Sequence, residues 1–297
     1  MSDFPHLNAE TQSRMKLSRA ERIFLMNQDQ WVGYSHARLI LDRMEELLNF
    51  PRISRMPNML LVGSTNNGKT QILKRFRELH PANDNLGEEA ISVPVVYVQA
   101  PAVPDEKRLY ADILNTLFAK YSVSDHPHKL LSNVKDKFSR IGVRMLIIDE
   151  LNSILSGSSA RQRQFLTVLK HLSNELQIPI VAAGTEDAIR AIKTDRQLEN
   201  RFNPMILPKW GFDTEFRRFL ASYEQMLPLS YPSNLSEKIL AHDIWARAEG
   251  TIGETVTLLK ASARYAISNG IEKIDIDVLD KSGYEKPSAR RKALKDH

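Results

Sequence analysis

The sequence predicts an α/β protein: a parallel five-stranded sheet layered with helices, followed by a small all-helical region. Three observations carry this. Five short apolar runs alternate with amphipathic patterns between Met59 and Leu207, as strand–helix units covering a sheet do. Most of the runs lack apolar–polar alternation, as strands buried on both faces do. After Pro208 strand-like runs cease and only helical periodicity continues.

In chain order, Ser18-Arg-Ala-Glu21 is a capping box opening a helix through Ile23, Phe24 and Leu25. A second helix, His36–Asn49, carries Ala37, Ile40, Leu41, Met44, Leu47 and Leu48 on one face, and the stretch from Pro51 to Pro57 breaks it. The expected strands are Met59–Val62, Val93–Val98, Met145–Ile148, Ile178–Ala183 and Met205–Leu207. Between them, helices are expected at Thr70–Leu79, Lys107–Tyr121, Lys129–Ile141, Arg161–Leu176 and Glu186–Lys193. The helical region contributes Asp213–Leu227, Ser236–Ala248, Glu254–Asn269 and Asp275–Lys281. Lys281–His297 holds six Lys or Arg, two acids and little apolar content, the composition of a mobile basic tail. The expected organisation is an N-terminal helical segment (1–50), an α/β core (51–208), a helical lid (209–283) and a flexible basic tail (284–297).

Composition excludes several classes. With 42% hydrophobic and 26% charged residues, a chain of 297 residues can build a core and is not disordered. It has no cysteine, which removes disulfides, thiolate zinc sites, iron–sulfur clusters and cysteine nucleophiles. No apolar run reaches the about 18 residues of a membrane span, and the N-terminus has no apolar signal core. A soluble, cytoplasmic protein without a membrane partner is expected. A net charge of +5 permits a nucleic-acid partner without demanding one. His126-Pro-His128 lacks carboxylates or cysteines at ligand spacing and reads as surface.

Gly63-Ser64-Thr65-Asn66-Asn67-Gly68-Lys69-Thr70 matches G-x-x-x-x-G-K-[ST], with an expected strand before it and a helix beginning with Gln71 after it. Glycines let backbone N–H groups curl around phosphates, and the helix N-terminus adds positive partial charge. Lys69 would reach the β- and γ-phosphates, and the Thr70 hydroxyl would ligate Mg²⁺. At the end of the third apolar run, Asp149 is placed to hold the metal's water shell. The adjacent Glu150 would polarise a water for in-line attack on a γ-phosphate, which favours hydrolysis of a nucleoside triphosphate. Thr185 follows the fourth strand, where it can sense the γ-phosphate or cap the helix Glu186–Lys193. Arg201 and, less centrally, Arg196 lie just before the fifth strand, as an arginine finger reaching a neighbouring subunit or as plain surface cations.

Together these motifs resemble an AAA+ ATPase, a P-loop NTPase core with a small C-terminal helical lid. Trp31-Val-Gly-Tyr34, Arg55-Met-Pro-Asn58, Val93-Pro-Val-Val-Tyr97, Ala183-Gly-Thr185 and Leu198-Glu-Asn-Arg-Phe202 narrow the resemblance to the TniB family. These are ATP-dependent accessory proteins of transposition, related to TnsC and more distantly to MuB. The resemblance spans about Gln28–Lys281. It implies ATP and Mg²⁺ as cofactors and a slow ATPase stimulated by DNA or a partner, with hydrolysis driving disassembly. It further implies a head-to-tail homo-oligomer on double-stranded DNA with little sequence preference. A transposase and a target-selector protein are the implied partners, in association with the nucleoid. Trp31 and Tyr34 are the implied adenine neighbours, or else core aromatics. Lys107 and Arg108, after the second strand, are the implied DNA phosphate contacts, or else a solvated helix start.

One position departs from the pattern. Where AAA+ lids carry an arginine early in a helix, this chain reads Gly250-Thr-Ile-Gly253-Glu254; either another cation substitutes, Lys260 and Arg264 being the nearest further along, or coupling between lid and nucleotide is weakened. Two rival readings stand beside the transposition ATPase: a helicase loader or replication initiator, and a poorly hydrolysing structural adaptor that uses ATP for assembly.

Overall fold

A computed structural model describes residues 4–83, 91–152 and 158–293. The chain divides into two units. A sheet unit comprises residues 36–65 and 69–208, and a helical unit comprises residues 1–35, 66–68 and 209–297.

In the sheet unit, β1 (Asn58–Gly63), β2 (Val95–Gln99), β3 (Met145–Asp149), β4 (Ile180–Gly184) and β5 (Phe202–Leu207) form one sheet in the order β2-β3-β4-β1-β5. All pairs are parallel, with Leu61 opposite Ala183 on one side and Met205 on the other, and Ile147 opposite Val181. β1, β3 and β4 are buried at every position, which is why their runs show no alternation. β5 starts three residues earlier than expected. It is an edge strand with exposed Asn203 and Pro204, and proline is tolerated there because no second neighbour needs its N–H. Buried Asn58 ties β1 to its surroundings: its amide donates to Ser173 Oγ at 3.0 Å, and its carbonyl oxygen accepts the Ile180 N–H at 2.9 Å. Helices Ser35–Leu48, Lys69–Leu79, Glu106–Thr116, Pro127–Arg140, Ser159–Leu176 and Glu186–Lys193 accompany the sheet. Leu109, Ile113, Leu130, Val134, Leu169 and Leu172 bury their apolar faces in a core with Leu146 and Ile148. Because all strands are parallel, the carboxyl ends of β1, β3 and β4 share one edge of the sheet, where ligands of such sheets bind.

The helical unit is built from Thr214–Glu224, Lys238–Ala248, Ile252–Ser268 and Ile276–Lys281, joined by the N-terminal helix Arg19–Met26. Ser18 and Glu21 form the expected capping box. Met26 is fully buried with Phe216, Leu220, Leu259 and Ile267. Arg22, also buried, pairs with Glu272 and donates from Nε to Pro228 O at 3.1 Å; an ion pair this dry holds because both partners are bonded. The N-terminal segment therefore divides at residue 35, its first part belonging with the C-terminal helices. A short helix Ala9–Arg14, capped by Asn8, lies below the length that periodicity can signal. The basic segment differs from expectation as well. Pro287–Ala293 is helical, and Glu249 docks it by accepting the Ser288 N–H at 2.8 Å and Arg291 Nη2 at 3.0 Å. Residues 294–297 lie outside the described residues.

Candidate functional site

β1 hands over to the helix Lys69–Leu79 through the glycine-bearing loop. A Cβ on Gly63 would lie 2.9 Å from Leu207 O of the paired strand, so the close backbone approach requires glycine. Asn66 and Gly68 take left-handed φ values of 58° and 90°, and alternation of this kind builds concave N–H nests that suit anions. Asn67 is buried, Ser64 and Gln71 half-buried, and Thr65 exposed. Lys69 is 7% exposed and donates from Nζ to Gly63 O at 2.9 Å and Ser64 O at 3.0 Å. Burial holds its ammonium below the ordinary lysine value, partly offset by the charges of Glu150 and Asp149.

The two motifs meet at Asp149. Its carboxylate is fully buried at the end of β3, where Oδ2 accepts Thr70 Oγ1 at 2.7 Å and the Tyr97 hydroxyl at 2.8 Å. Oδ1 accepts the Glu150 N–H at 2.8 Å. Burial first and the Asp149 charge second push the Tyr97 phenol up, which keeps it a donor. The Arg77 guanidinium stands 5.6 Å from the Tyr97 ring centre. Glu150 is exposed with φ of 57°, a backbone region that costs a non-glycine residue about 1–3 kcal/mol and turns the chain sharply at the strand end.

Thr185 occupies the N-cap position of Glu186–Lys193, yet its side chain makes no capping bond. The hydroxyl therefore does not spend itself on the helix. Gly184 before it is required by packing, since a Cβ there would lie 2.7 Å from Ala188 Cβ. Arg201 is half-buried: Nη1 donates to Asn174 Oδ1, and Nε is buried without a hydrogen-bond partner among the described residues. Burial and the nearby Arg55 push its guanidinium down. Arg196 is exposed. Lys107 and Arg108 lie in the first turn of Glu106–Thr116, which Asp105 caps through the Arg108 N–H. Lys107 Nζ donates to Val123 O at 2.6 Å, and the residue lines a cleft with Arg161 and Gln164. Both residues of His126-Pro-His128 that could bind metal are exposed.

In the helical unit, Tyr34 is buried with its ring 4.9 Å from Trp210, itself 5.4 Å from Phe219. Trp210 is thus an aromatic neighbour of Tyr34 within the helical unit. The Tyr34 hydroxyl is buried without a hydrogen-bond partner among the described residues, and burial pushes its phenol up. Trp31 is half-buried.

The lid position carries the main surprise. Glu254 is 8% exposed; Oε1 accepts Asn66 Nδ2 at 2.9 Å, while Oε2 accepts the Tyr284 hydroxyl at 2.8 Å and Arg290 Nη2. Of the two nearest cations further along that helix, Lys260 is held through Nζ by the carbonyls of Asn27 and Gln28 at 3.2 and 3.1 Å, and Arg264 is exposed. The cation beside Glu254 is Arg290, from the segment expected to be a mobile tail.

A family model for the bacterial TniB protein matches residues 22–212, more than half of the chain. The chain belongs to the TniB family. Solved structures extend the likeness at the level of fold, which is that of AAA+ ATPases. Orc1 of Aeropyrum pernix in complex with DNA superposes with a TM-score of 0.61 at 15% identity, covering 88% of this chain and 68% of that one. Orc2 of the same organism, in ADPNP–ADP complexes, gives 0.60 at 18% identity over 94% and 68%. Cdc6p from Pyrobaculum aerophilum gives 0.57 at 16% identity over 86% and 69%. No curated protein matches the chain. Among the described residues of this TniB chain no helix is long and apolar enough to cross a membrane. Nor do three His, Asp or Glu residues cluster as a dedicated metal cage among them.

Proposed function

We propose that the chain is an ATP-dependent, DNA-binding regulator of transposition, which assembles head-to-tail on duplex DNA and recruits a transposase with a target-selector protein. The observation that carries the ATPase part is the junction at Asp149. A hydroxyl and a carboxylate from two separate motifs stand 2.7 Å apart, beside a buried lysine on an anion-shaped loop. Thr70 and Asp149 are hard oxygen donors suited to Mg²⁺, which when bound would neutralise phosphate charge. Lys69 would exchange its two carbonyl partners for β- and γ-phosphate oxygens. Glu150 would take a proton from the attacking water as its oxygen bonds to the γ-phosphorus. The bond to the β–γ bridging oxygen breaks and ADP departs with the electron pair. Thr185, with no capping duty, would orient that water or the γ-phosphate. Trp31, half-buried, would face the adenine. Arg201 would complete the site of a neighbouring copy.

The DNA part rests on family membership, on the DNA complex of the fold relative Orc1, on Lys107 and Arg161 lining one cleft, and on exposed Arg108 next to Lys107 in the chain. The test is ATP turnover and binding to unrelated duplexes across a salt series. Glu150→Gln is expected to bind ATP and hold DNA longer while hydrolysis falls about 10²–10⁴-fold. Lys107→Ala is expected to lower the log–log salt slope by about 0.9 on every duplex. Wild-type turnover in Glu150→Gln overturns the base; a strongly sequence-selective wild type overturns backbone tracking.

A further inference from the structure

The tip of the phosphate loop is held by something the family pattern does not supply. Residues 66–68 belong to the helical unit, and there Asn66 is gripped at two points. Its carbonyl accepts the Gly253 N–H at 3.0 Å, and its amide donates to Glu254 at 2.9 Å. Gly253 is built for this contact, since a Cβ there would lie 2.6 Å from Asn66 O. Asn66 sits at a left-handed φ of 58°, a conformation that costs an asparagine less than most residues but still needs support. Glu254 thus fixes the tip with one oxygen and, with the other, takes a phenol and a guanidinium from the C-terminal segment.

The charge arithmetic gives the arrangement its consequence. A carboxylate buried against a loop that takes polyphosphate repels the ligand unless something cancels it. Within the helical unit, Arg290 cancels it, and Glu249 positions Arg290 by docking the same helix through Ser288 and Arg291. We infer that the helix Pro287–Ala293 is a latch on the phosphate loop, in which Arg290 neutralises Glu254 so that Glu254 can hold Asn66 in its nucleotide-ready conformation. Glu254 and Arg290 are positioning residues. The latch stands where AAA+ lids present an arginine, and it makes nucleotide affinity depend on what happens to the C-terminal segment. Any protein partner that draws Arg290 away weakens the loop's grip on nucleotide.

The inference rests on the nucleotide-binding reading, so the experiment has two independent readouts. Hydrogen exchange of the loop amides is measured on the full chain without nucleotide, and affinity is measured with a fluorescent ATP analogue and Mg²⁺. Arg290→Ala is expected to speed exchange at residues 63–70 and to weaken nucleotide binding about tenfold, as loss of a charge-assisted bond does. Arg290→Lys, which keeps the charge, is expected to recover most of both. Arg290→Ala combined with Glu254→Gln is expected to restore affinity, because the carboxamide oxygen still accepts Asn66 without the repulsion. A merely structural role for Arg290 would leave the double variant as weak as the single one, and that result overturns the inference. So does an Arg290→Ala chain whose loop exchange matches wild type. Wild type that binds no nucleotide at all sinks the nucleotide reading, while the exchange measurement still decides whether the latch exists.

Discussion

Asp149 in the sheet unit and Glu254 in the helical unit are both buried carboxylates that accept three hydrogen bonds, but their donors differ in charge. Asp149 is bonded by two hydroxyls and a backbone N–H, all neutral. Glu254 is bonded by an amide, a phenol and a guanidinium. A buried carboxylate with only neutral donors keeps its attraction for a cation from solution, which can displace a hydroxyl and gain the full charge. One that already holds an internal guanidinium gains little from a second cation. The same residue chemistry is thereby set for exchange in one unit and for permanence in the other.

The largest expected effect tests that contrast through the same atomic change at both sites. Asp149→Asn should lower Mg²⁺-dependent hydrolysis about 10³-fold or more, since the metal's share of charge stabilisation goes with the carboxylate. Glu254→Gln with Arg290 intact should leave nucleotide affinity within about threefold of wild type, because a neutral bond to Asn66 survives. Steady-state turnover and analogue binding on both variants are the measurements. Equal losses would mean that the two carboxylates do the same work.

The contrast also explains what was legible in the sequence. Around Asp149 the partners lie at spacings the chemistry dictates: a loop of fixed length before Lys69-Thr70, and a carboxylate at a strand's end. The parallel sheet then brings those ends together, so strand order was the only missing step. Tyr97 could have been found only by register, since it pairs with Ile147 and reaches Asp149, two residues on, diagonally across the paired strands. Around Glu254 the partners are contacts at a distance. Tyr284 and Arg290 are separated from it by a helix pair and carry no motif, and a basic, apolar-poor segment reads as solvated unless its acidic docking partners are known. The missing lid arginine was visible; the Glu254–Arg290 pair was not. The start of β5 was hidden for a third reason, because Pro204 contradicts a strand except at the edge position that topology gives it.

A middle-sized effect concerns Arg201, the cation whose role the sheet unit leaves open to a partner copy. Its Nη1 holds Asn174 of the same chain, and burial already disfavours its charge. Arg201→Ala is expected to slow hydrolysis by at least about tenfold in the assembled state, an effect in the direction of lost trans charge stabilisation. The isolated subunit should keep its nucleotide affinity. Asn174→Ala, which frees the guanidinium without removing it, should retain assembled turnover. Turnover tied to Asn174 instead would assign Arg201 to the fold, and sedimentation of each variant with DNA and nucleotide separates lost assembly from lost catalysis.

The smallest effect is the pH dependence of the helical unit, and its sign follows from Glu254. Burial acts to raise its carboxyl, but bonds from Arg290, Tyr284 and Asn66 prevail and hold it below the ordinary glutamate value. A depressed carboxyl binds its proton less readily when folded than when unfolded. Its stabilising contribution is therefore complete above the unfolded value, about 4.5, and is lost as pH falls through the lower folded value. The groups facing it are Arg290 and Tyr284, with Glu249 and Glu285 in charge reach of those two. The arginine stays charged throughout, and Tyr284 is pushed up and stays protonated. Arg290 is 46% exposed, so water screens the pair and the contribution is about 1 kcal/mol or less. That corresponds to a melting shift of about 2 °C. As pH falls from above 4.5 through the lower folded value, wild type should lose that much more melting temperature than Glu254→Gln, whose carboxamide does not titrate. Glu249 also sits below its ordinary value, through the Ser288 bond first, so Glu249→Gln serves as the parallel control for docking the same helix. Equal pH slopes for wild type and Glu254→Gln would mean that the Arg290–Glu254 pair carries no net stability and acts on the loop alone.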